Sequence, residues 1–395
     1  MKAPRFLTAG KNLKEFSANS QGDCIHLPTS FTGLLRRMLQ QHGFRRTCAV
    51  LTAHRTDIDI RALAARNLLR RRIRWQQLFR CAIVSVPYFS YTSLHGRVLA
   101  AAFEDALAAY PSAAVLIHNG FMIPHSILAA VAERTDRPHC FLEGGFFPGT
   151  FQCDRLGINF DSSLPRDADF YRRVELLSDE TALPDTLISR KTKIKDDGVT
   201  QLPERFVFVP FQVPSDMQIL ALSPWIRDMR HFYNVIVKLA SRFPDRHFVI
   251  KEHPSFPLSI RKDVEAHPRI VFANQENTRK LIEQSEAVIT VNSTVGIEAL
   301  LLRKKIITLG QAHYDVEGLV LHADSDDALV DAFERLQHWN FDPELRQKFL
   351  AYVYNVFLIH GSVAKPTAKV IDAIQARILG KDRHSALTSS RGATE

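Results

Sequence analysis

Cysteine is scarce in this sequence and scattered. Cys24, Cys48, Cys81, Cys140 and Cys153 form no CxxC pair. That excludes the usual zinc spacing and a disulfide framework, and it fits a reducing compartment. No run of about 18 apolar residues occurs, so no transmembrane helix is expected. The opening stretch MKAPRFLTAGKNLKEFSANS is basic but lacks an apolar core segment, so it does not read as a secretory signal. There is no internal repeat with a period of about 20–50 residues, and no aromatic-basic RNA motif.

What is present suits a folded protein. The 395 residues are 46% hydrophobic and 24% charged, enough apolar material for sizeable cores. At roughly 100–200 residues per domain, the length suggests two domains. Lys and Arg number 51 against 42 acids, a formal charge of +9. The balance favours an anionic partner: nucleic acid, acidic lipid, or a phosphorylated or carboxylated substrate.

Short apolar runs alternate with helical stretches. Residues 23–27, 47–52, 81–86, 113–118 and 139–142 read as strands. Residues 31–42, 61–79, 96–110 and 124–134 read as helices, the first capped by Thr29 or Ser30 and closed by Gly43. Residues 176–204 are polar and charged and read as a linker. A second series follows, with strands at 205–210, 247–251, 269–272, 287–291 and 305–309. Helices are expected at 224–242, 278–285 and 295–302. The pattern predicts α/β domains at 1–175 and 205–342, with a cleft between them. Helices at 343–380 that cross back and a disordered tail at 381–395 complete the expected layout.

Open α/β sheets bind ligands at the carboxyl ends of their strands. Lys251, His253 and Pro254 follow one strand, where they could hold a phosphate or form a solvated turn. Asn292, Ser293 and Thr294 link a strand to a helix, as an anion site or as simple capping. Glu298 lies one turn further on. The segment 139–169 sets Glu143 before two glycines, followed by Asp154, Asp161, Asp167 and Asp169. Several carboxylates on one loop could supply a nucleophile and a general acid/base. Three D-x-D triplets, at 57/59, 167/169 and 324/326, are of a kind that can bind a metal–nucleotide but often arises by chance. The arginine-rich stretch 61–80 presents either a solvated face or one that meets an anionic surface.

Five ordered blocks carry a resemblance. EGGFFPG with LGINFDSSLPRDADFY, then VPFQVPSDMQI, IKEHP, VITVNSTVGIEALL and LGQAHYDVEGL resemble the capsule-assembly β-Kdo transferases of the KpsS/LipA type, within the capsule polysaccharide biosynthesis and export family. (Kdo is 3-deoxy-manno-oct-2-ulosonic acid.) The resemblance implies a GT-B glycosyltransferase fold, two Rossmann-like domains facing a cleft. It implies a retaining enzyme with CMP-Kdo as donor, a lipid acceptor such as lysophosphatidylglycerol, and no metal or other cofactor. The implied setting is the cytoplasmic side of a Gram-negative inner membrane, peripheral on its anionic surface, with a KpsC-type transferase as partner and no nucleic acid. By motif, Asp154 is the first nucleophile candidate and Asp161 the second, with Glu143 as acid/base. Lys251, His253, Pro254, Asn292, Ser293, Thr294, Glu298, Gln311 and Tyr314 would bind the donor. Gln212, Asp216 and Arg166 would line the cleft. Competing readings are a nucleotide-sugar epimerase of GT-B shape and a non-catalytic assembly or nucleic-acid-binding protein.

Overall fold

The computed structural model describes residues 3–52, 57–185, 201–254, 256 and 259–389. The chain divides into two compact units. The first comprises Met1–Gly145, Gly149–Ser163 and Leu358–Glu395, and the second Phe146–Pro148 and Leu164–Phe357.

The first unit is built on β1 (Phe6–Ala9), β2 (Cys24–Leu27), β3 (Ala114–His118), β4 (His139–Gly144) and β5 (Thr150–Asp154). The second carries β6 (Val207–Pro210), β7 (Phe248–Lys251), β8 (Ile270–Phe272), β9 (Ala287–Thr290), β10 (Lys305–Thr308) and β11 (Leu321–His322). The chain then returns to the first sheet as β12 (Ile359–His360).

The first sheet runs β12-β5-β4-β3-β1-β2, parallel from β4 to β2, with β5 antiparallel to β4 and β12 antiparallel to β5. Its central strands are apolar on both sides. Leu7 and Ala9 of β1 join one core with Val115 and Ile117, while Phe6 joins the other with Leu116, Cys140 and Leu142. Burial on both faces is what makes a parallel strand a continuous apolar run. The second sheet runs β11-β10-β9-β6-β7-β8 and is parallel throughout. Both sheets are doubly wound, as the two-domain α/β expectation required.

Several local expectations need correction. Residues 47–52 are not a strand. They end a helix, Phe31–Thr52, that passes a break at Gly43 (φ 73°). Residues 81–86 open the long helix Ala82–Ala109. A six-residue apolar run fits a buried strand or a helix segment equally well, and packing decides. Here the two helices hold each other: Arg97 donates to the Leu51 carbonyl at 2.7 Å, and His42 Nε2 lies 2.5 Å from Asp105. β1 was not foreseen, and β5 lies inside what read as loop. The helix Ala168–Arg173 falls in the second unit. Part of the expected linker, 186–200, lies outside the described residues. The expected tail contains a helix, Arg383–Ser389, whose His384 is buried.

Candidate active site

In the first sheet the strand order reverses between β1 and β3, and ligand sites favour the carboxyl ends of strands at such a point. Gly10 follows β1 with φ 81°. A Cβ there would come within 2.7 Å of the His125 imidazole, so only glycine fits. The turn it opens carries Asn12, whose Nδ2 donates to His118 Nε2 at 3.2 Å. That bond joins the loop after β1 to the end of β3.

One strand over, Glu143 sits near the end of β4. Asn119 Nδ2 donates to its Oε2 at 3.1 Å and the Gly144 N–H to its Oε1 at 2.9 Å. Its side chain is 31% exposed, and His118 Nε2 lies 4.0 Å from Oε1. On β2, His26 Nε2 donates to the Gly10 carbonyl at 2.9 Å. The His125 ring lies 5.4 Å from that of His118, is buried, and has no hydrogen-bond partner at Nδ1. Burial, with His118 and His26 nearby, lowers its pKa to about 3. His125 is therefore a neutral wall of the site.

Asp154, expected as nucleophile, is enclosed by its own loop. It is 0% exposed at the end of β5. Its Oδ1 accepts from the N–H groups of Leu156 (2.9 Å), Gly157 (3.4 Å) and Ser163 (3.0 Å), and its Oδ2 from the Ser163 hydroxyl. Having given its proton to the carboxylate, Ser163 Oγ accepts from His384 Nε2 at 2.8 Å. A carboxylate so bonded and fully buried clamps a loop and presents no face to a substrate. Asp161 is exposed at the end of the turn Asn159–Asp161. With Asn119, Gly120 and Arg66 it lines a pocket of about 290 Å³. Asn119 thus touches both the pocket and Glu143. Arg166 is exposed and belongs to the second unit.

In the second sheet the order reverses between β6 and β9. Gln212, after β6, donates from Nε2 to Asn292 Oδ1 at 2.9 Å and accepts at Oε1 from the Asn292 N–H at 3.2 Å. Asn292 Nδ2 also donates to the Leu222 carbonyl at 3.2 Å. This buried lattice fixes the loops flanking the strand ends. His253 and Pro254 stand at the end of β7, Ser293 and Thr294 after β9, and Gln311 and Tyr314 after β10. Parallel strands place all of them on one edge of the sheet. Asp216 precedes the helix Met217–Leu222, and its carbonyl accepts from Ile219 and Leu220.

Lys251 and Tyr314 are engaged within the fold, and Glu298 is buried. Lys251 is buried, and its Nζ donates to the carbonyls of Asn274 (2.8 Å) and Glu276 (2.6 Å). Burial lowers its pKa to about 8. Turning it toward a ligand would orphan two carbonyls, at about 1–3 kcal/mol each. Tyr314 is fully buried and donates to the Ser293 carbonyl at 2.7 Å. A Cβ on Gly296 would lie 2.2 Å from its ring, so glycine admits that packing. Glu298 is 1% exposed. At the helix start the N–H groups of Ser293, Val295 and Gly296 are already bonded to Thr290 Oγ1, Ser293 Oγ and the Ser293 carbonyl, so the turn caps itself.

The acids of the D-x-D triplets serve the fold as well. Asp59 caps the Ala62 N–H, Asp167 the Asp169 N–H, and Asp326 pairs with Lys238. Among the described residues no three His, Cys, Asp or Glu side chains converge as a metal site. Sequence reasoning missed Asn12, His26, His118 and Asn119. The available signal was that each lies within three residues of a strand's carboxyl end, but β1 had not been seen.

The sequence model described as "Capsule polysaccharide biosynthesis protein" matches residues 190–363. Protein FixF of Sinorhizobium fredii is 39% identical over 372 residues, covering 93% of this chain and 90% of FixF. The chain belongs to the capsule polysaccharide biosynthesis family. KpsS of Escherichia coli, a capsule polysaccharide export protein, is 26% identical over 45% of this chain and 62% of its own length. Among solved structures, a KpsC β-Kdo 2,4 transferase from Thermosulfurimonas dismutans aligns with TM-score 0.44 and 19% identity, over 68% of this chain and 87% of that one. No helix among the described residues is long and apolar enough to cross a membrane.

Proposed function

We propose that this capsule-family chain is a retaining β-Kdo transferase that uses CMP-Kdo to build a Kdo linker on a lipid acceptor such as lysophosphatidylglycerol. The observation that carries the reading is the half-exposed Glu143 beside His118 at the carboxyl end of a doubly wound sheet. Retention at one carbon takes two displacements, which need an accessible carboxylate and a base. Glu143 meets the first need, and Asp154 does not. In the first step a Glu143 oxygen bonds the anomeric carbon and CMP leaves with the bonding pair. In the second, the acceptor hydroxyl takes the place of the Asn12 amide at His118 Nε2, which accepts its proton as the oxygen displaces Glu143. The leaving phosphate is weakly basic, so the reaction calls for anion stabilisation rather than a metal or other cofactor. In the second unit His253, Thr294 and Gln311 remain the groups to hold the nucleotide.

The acceptor puts the enzyme peripherally on the cytoplasmic face of a Gram-negative inner membrane, where a KpsC-type transferase would extend its product. Incubation with CMP-Kdo and a fluorescent lysophosphatidylglycerol, followed by mass spectrometry, tests the reading. One added Kdo on the lipid is the expected product. Failure of lysophospholipids and Kdo-bearing acceptors alike, with no CMP released, would overturn it.

A further inference from the structure

From Ile60 to Phe103 the chain contains eight arginines and neither Asp nor Glu. The fold makes of this stretch two helices, Ile60–Arg74 and Ala82–Ala109, joined through the single turn Gln76–Phe79. By sequence, residues 61–80 present an arginine-rich face, either solvated or meeting an anionic surface. The structure divides the apolar side chains of this region. Leu68 and Phe79 are buried, but Trp75, Leu78, Ile83 and Val86 are 52%, 54%, 83% and 60% exposed. All four belong to the junction of the two helices. Arg71, Arg72, Arg74 and Arg80 are exposed among them. Phe79 meets Tyr88 edge-on at 5.2 Å and Arg71 lies over the Tyr88 ring at 5.8 Å, so the junction is pinned to the long helix.

We infer that this helical tip docks on an anionic lipid bilayer. Trp75, Leu78, Ile83 and Val86 enter the boundary between headgroups and acyl chains, while the arginines bind lipid phosphates. An interfacial amphipathic element has this composition: Trp and aliphatic side chains on one side, unopposed cations around them. The other occupants fit worse. Nucleic acid would use the arginines and stack on Trp75, but would leave three aliphatic side chains in water. A second copy of the chain would set like charges against each other. The inference deepens the membrane location proposed above. It does not depend on the transfer reaction, because lipid binding is read without donor or acceptor.

The test uses the full chain with vesicles of mixed phosphatidylcholine and phosphatidylglycerol. The protein should sediment with them, less at high salt, and hardly with phosphatidylcholine alone. Brominated acyl chains should quench its tryptophan emission, and Trp75→Phe should remove that quenching, since Trp225 and Trp339 pack against the second unit's core. Arg71→Gln, Arg72→Gln and Arg74→Gln together should weaken vesicle binding roughly 100-fold. Leu78→Gln with Ile83→Gln should reduce both binding and quenching while circular dichroism stays unchanged. Absence of vesicle binding would overturn the inference. So would a lipid-independent dimer that the same substitutions dissociate, or oligonucleotides that displace the vesicles.

Discussion

His118 Nε2 and Glu143 Oε1 stand 4.0 Å apart on neighbouring parallel strands. His118 is registered opposite Leu142, which sets Glu143 one residue beyond it. An open carboxylate and an imidazole therefore share one sheet edge, each steadied by an asparagine. The proposed chemistry rests on this pair.

Glu143→Gln should abolish Kdo transfer and yield no Kdo–enzyme adduct, because the amide cannot form the ester. His118→Ala should slow transfer by roughly 10²–10⁴-fold, the usual contribution of a positioned base. The adduct should then persist, since the second step needs that base. Intact-protein mass spectrometry after mixing with CMP-Kdo reads both outcomes. An adduct mapped to Asp161 would move the nucleophile to that residue.

Asp154→Asn should act on stability before chemistry. The new amide turns an N–H₂ toward donors that need an acceptor. Losing hydrogen bonds to the charged group should cost about 1.5–3 kcal/mol, measured by urea denaturation. Ser163→Ala should fall in the same direction by less. An Asp154→Asn protein of parental stability and no activity would return Asp154 to the chemistry.

In the second unit, His253→Ala should weaken CMP binding roughly 10–150-fold, the loss of one charge-assisted hydrogen bond. Lys251→Met should instead lower the unfolding midpoint, because Nζ serves two carbonyls inside the fold. Calorimetry with CMP separates the two. Unchanged CMP affinity in folded His253→Ala would remove that histidine from the site.

Three buried histidines set an acid limit on stability. Burial lowers the pKa values of His125, His313 and His384 to about 3 each. Their unfolded values lie near 6.5. Between about pH 6.5 and 3 the unfolded chain holds more protons than the folded one, so stability rises with pH across that window and is complete above it. Each histidine contributes a slope of about 1.4 kcal/mol per pH unit. His313 stacks on Phe146 at 3.8 Å and has no partner at Nε2. His313→Phe should keep that packing and flatten the acid limb by one proton's worth, as denaturation midpoints from pH 4 to 7 would show.

Legibility followed the kind of signal available. In the second unit, RFVFVP, HFVIK, AVITV and KIITL are strands on the strength of their own residues, because a parallel strand buried on both faces must be apolar throughout. Residues 81–86 have the same look and form a helix. Ile83 and Val86 lie open to solvent, so no burial pattern could distinguish the two forms. Glu143 was found because it stands between a strand and two glycines. His118 was passed over because its role needs Asn12, 106 residues away.

The sequence by itself determined the α/β class, the family blocks, the excess of arginine and the carboxylates available to a transferase. Those properties are local: apolar runs, turn residues and residue type. Which carboxylate is open was decided only by the tertiary structure. Asp154 and Glu143 are both carboxylic side chains near strand ends. Asp154 is closed off because Ser163 and the N–H groups of its own loop fold back onto it, with His384 behind. Glu143 stays half exposed because its partners, Asn119 and Gly144, hold it from the side of its own sheet edge. Reactivity depends on which donors reach a carboxylate first, and chain folding brings those donors from far along the sequence.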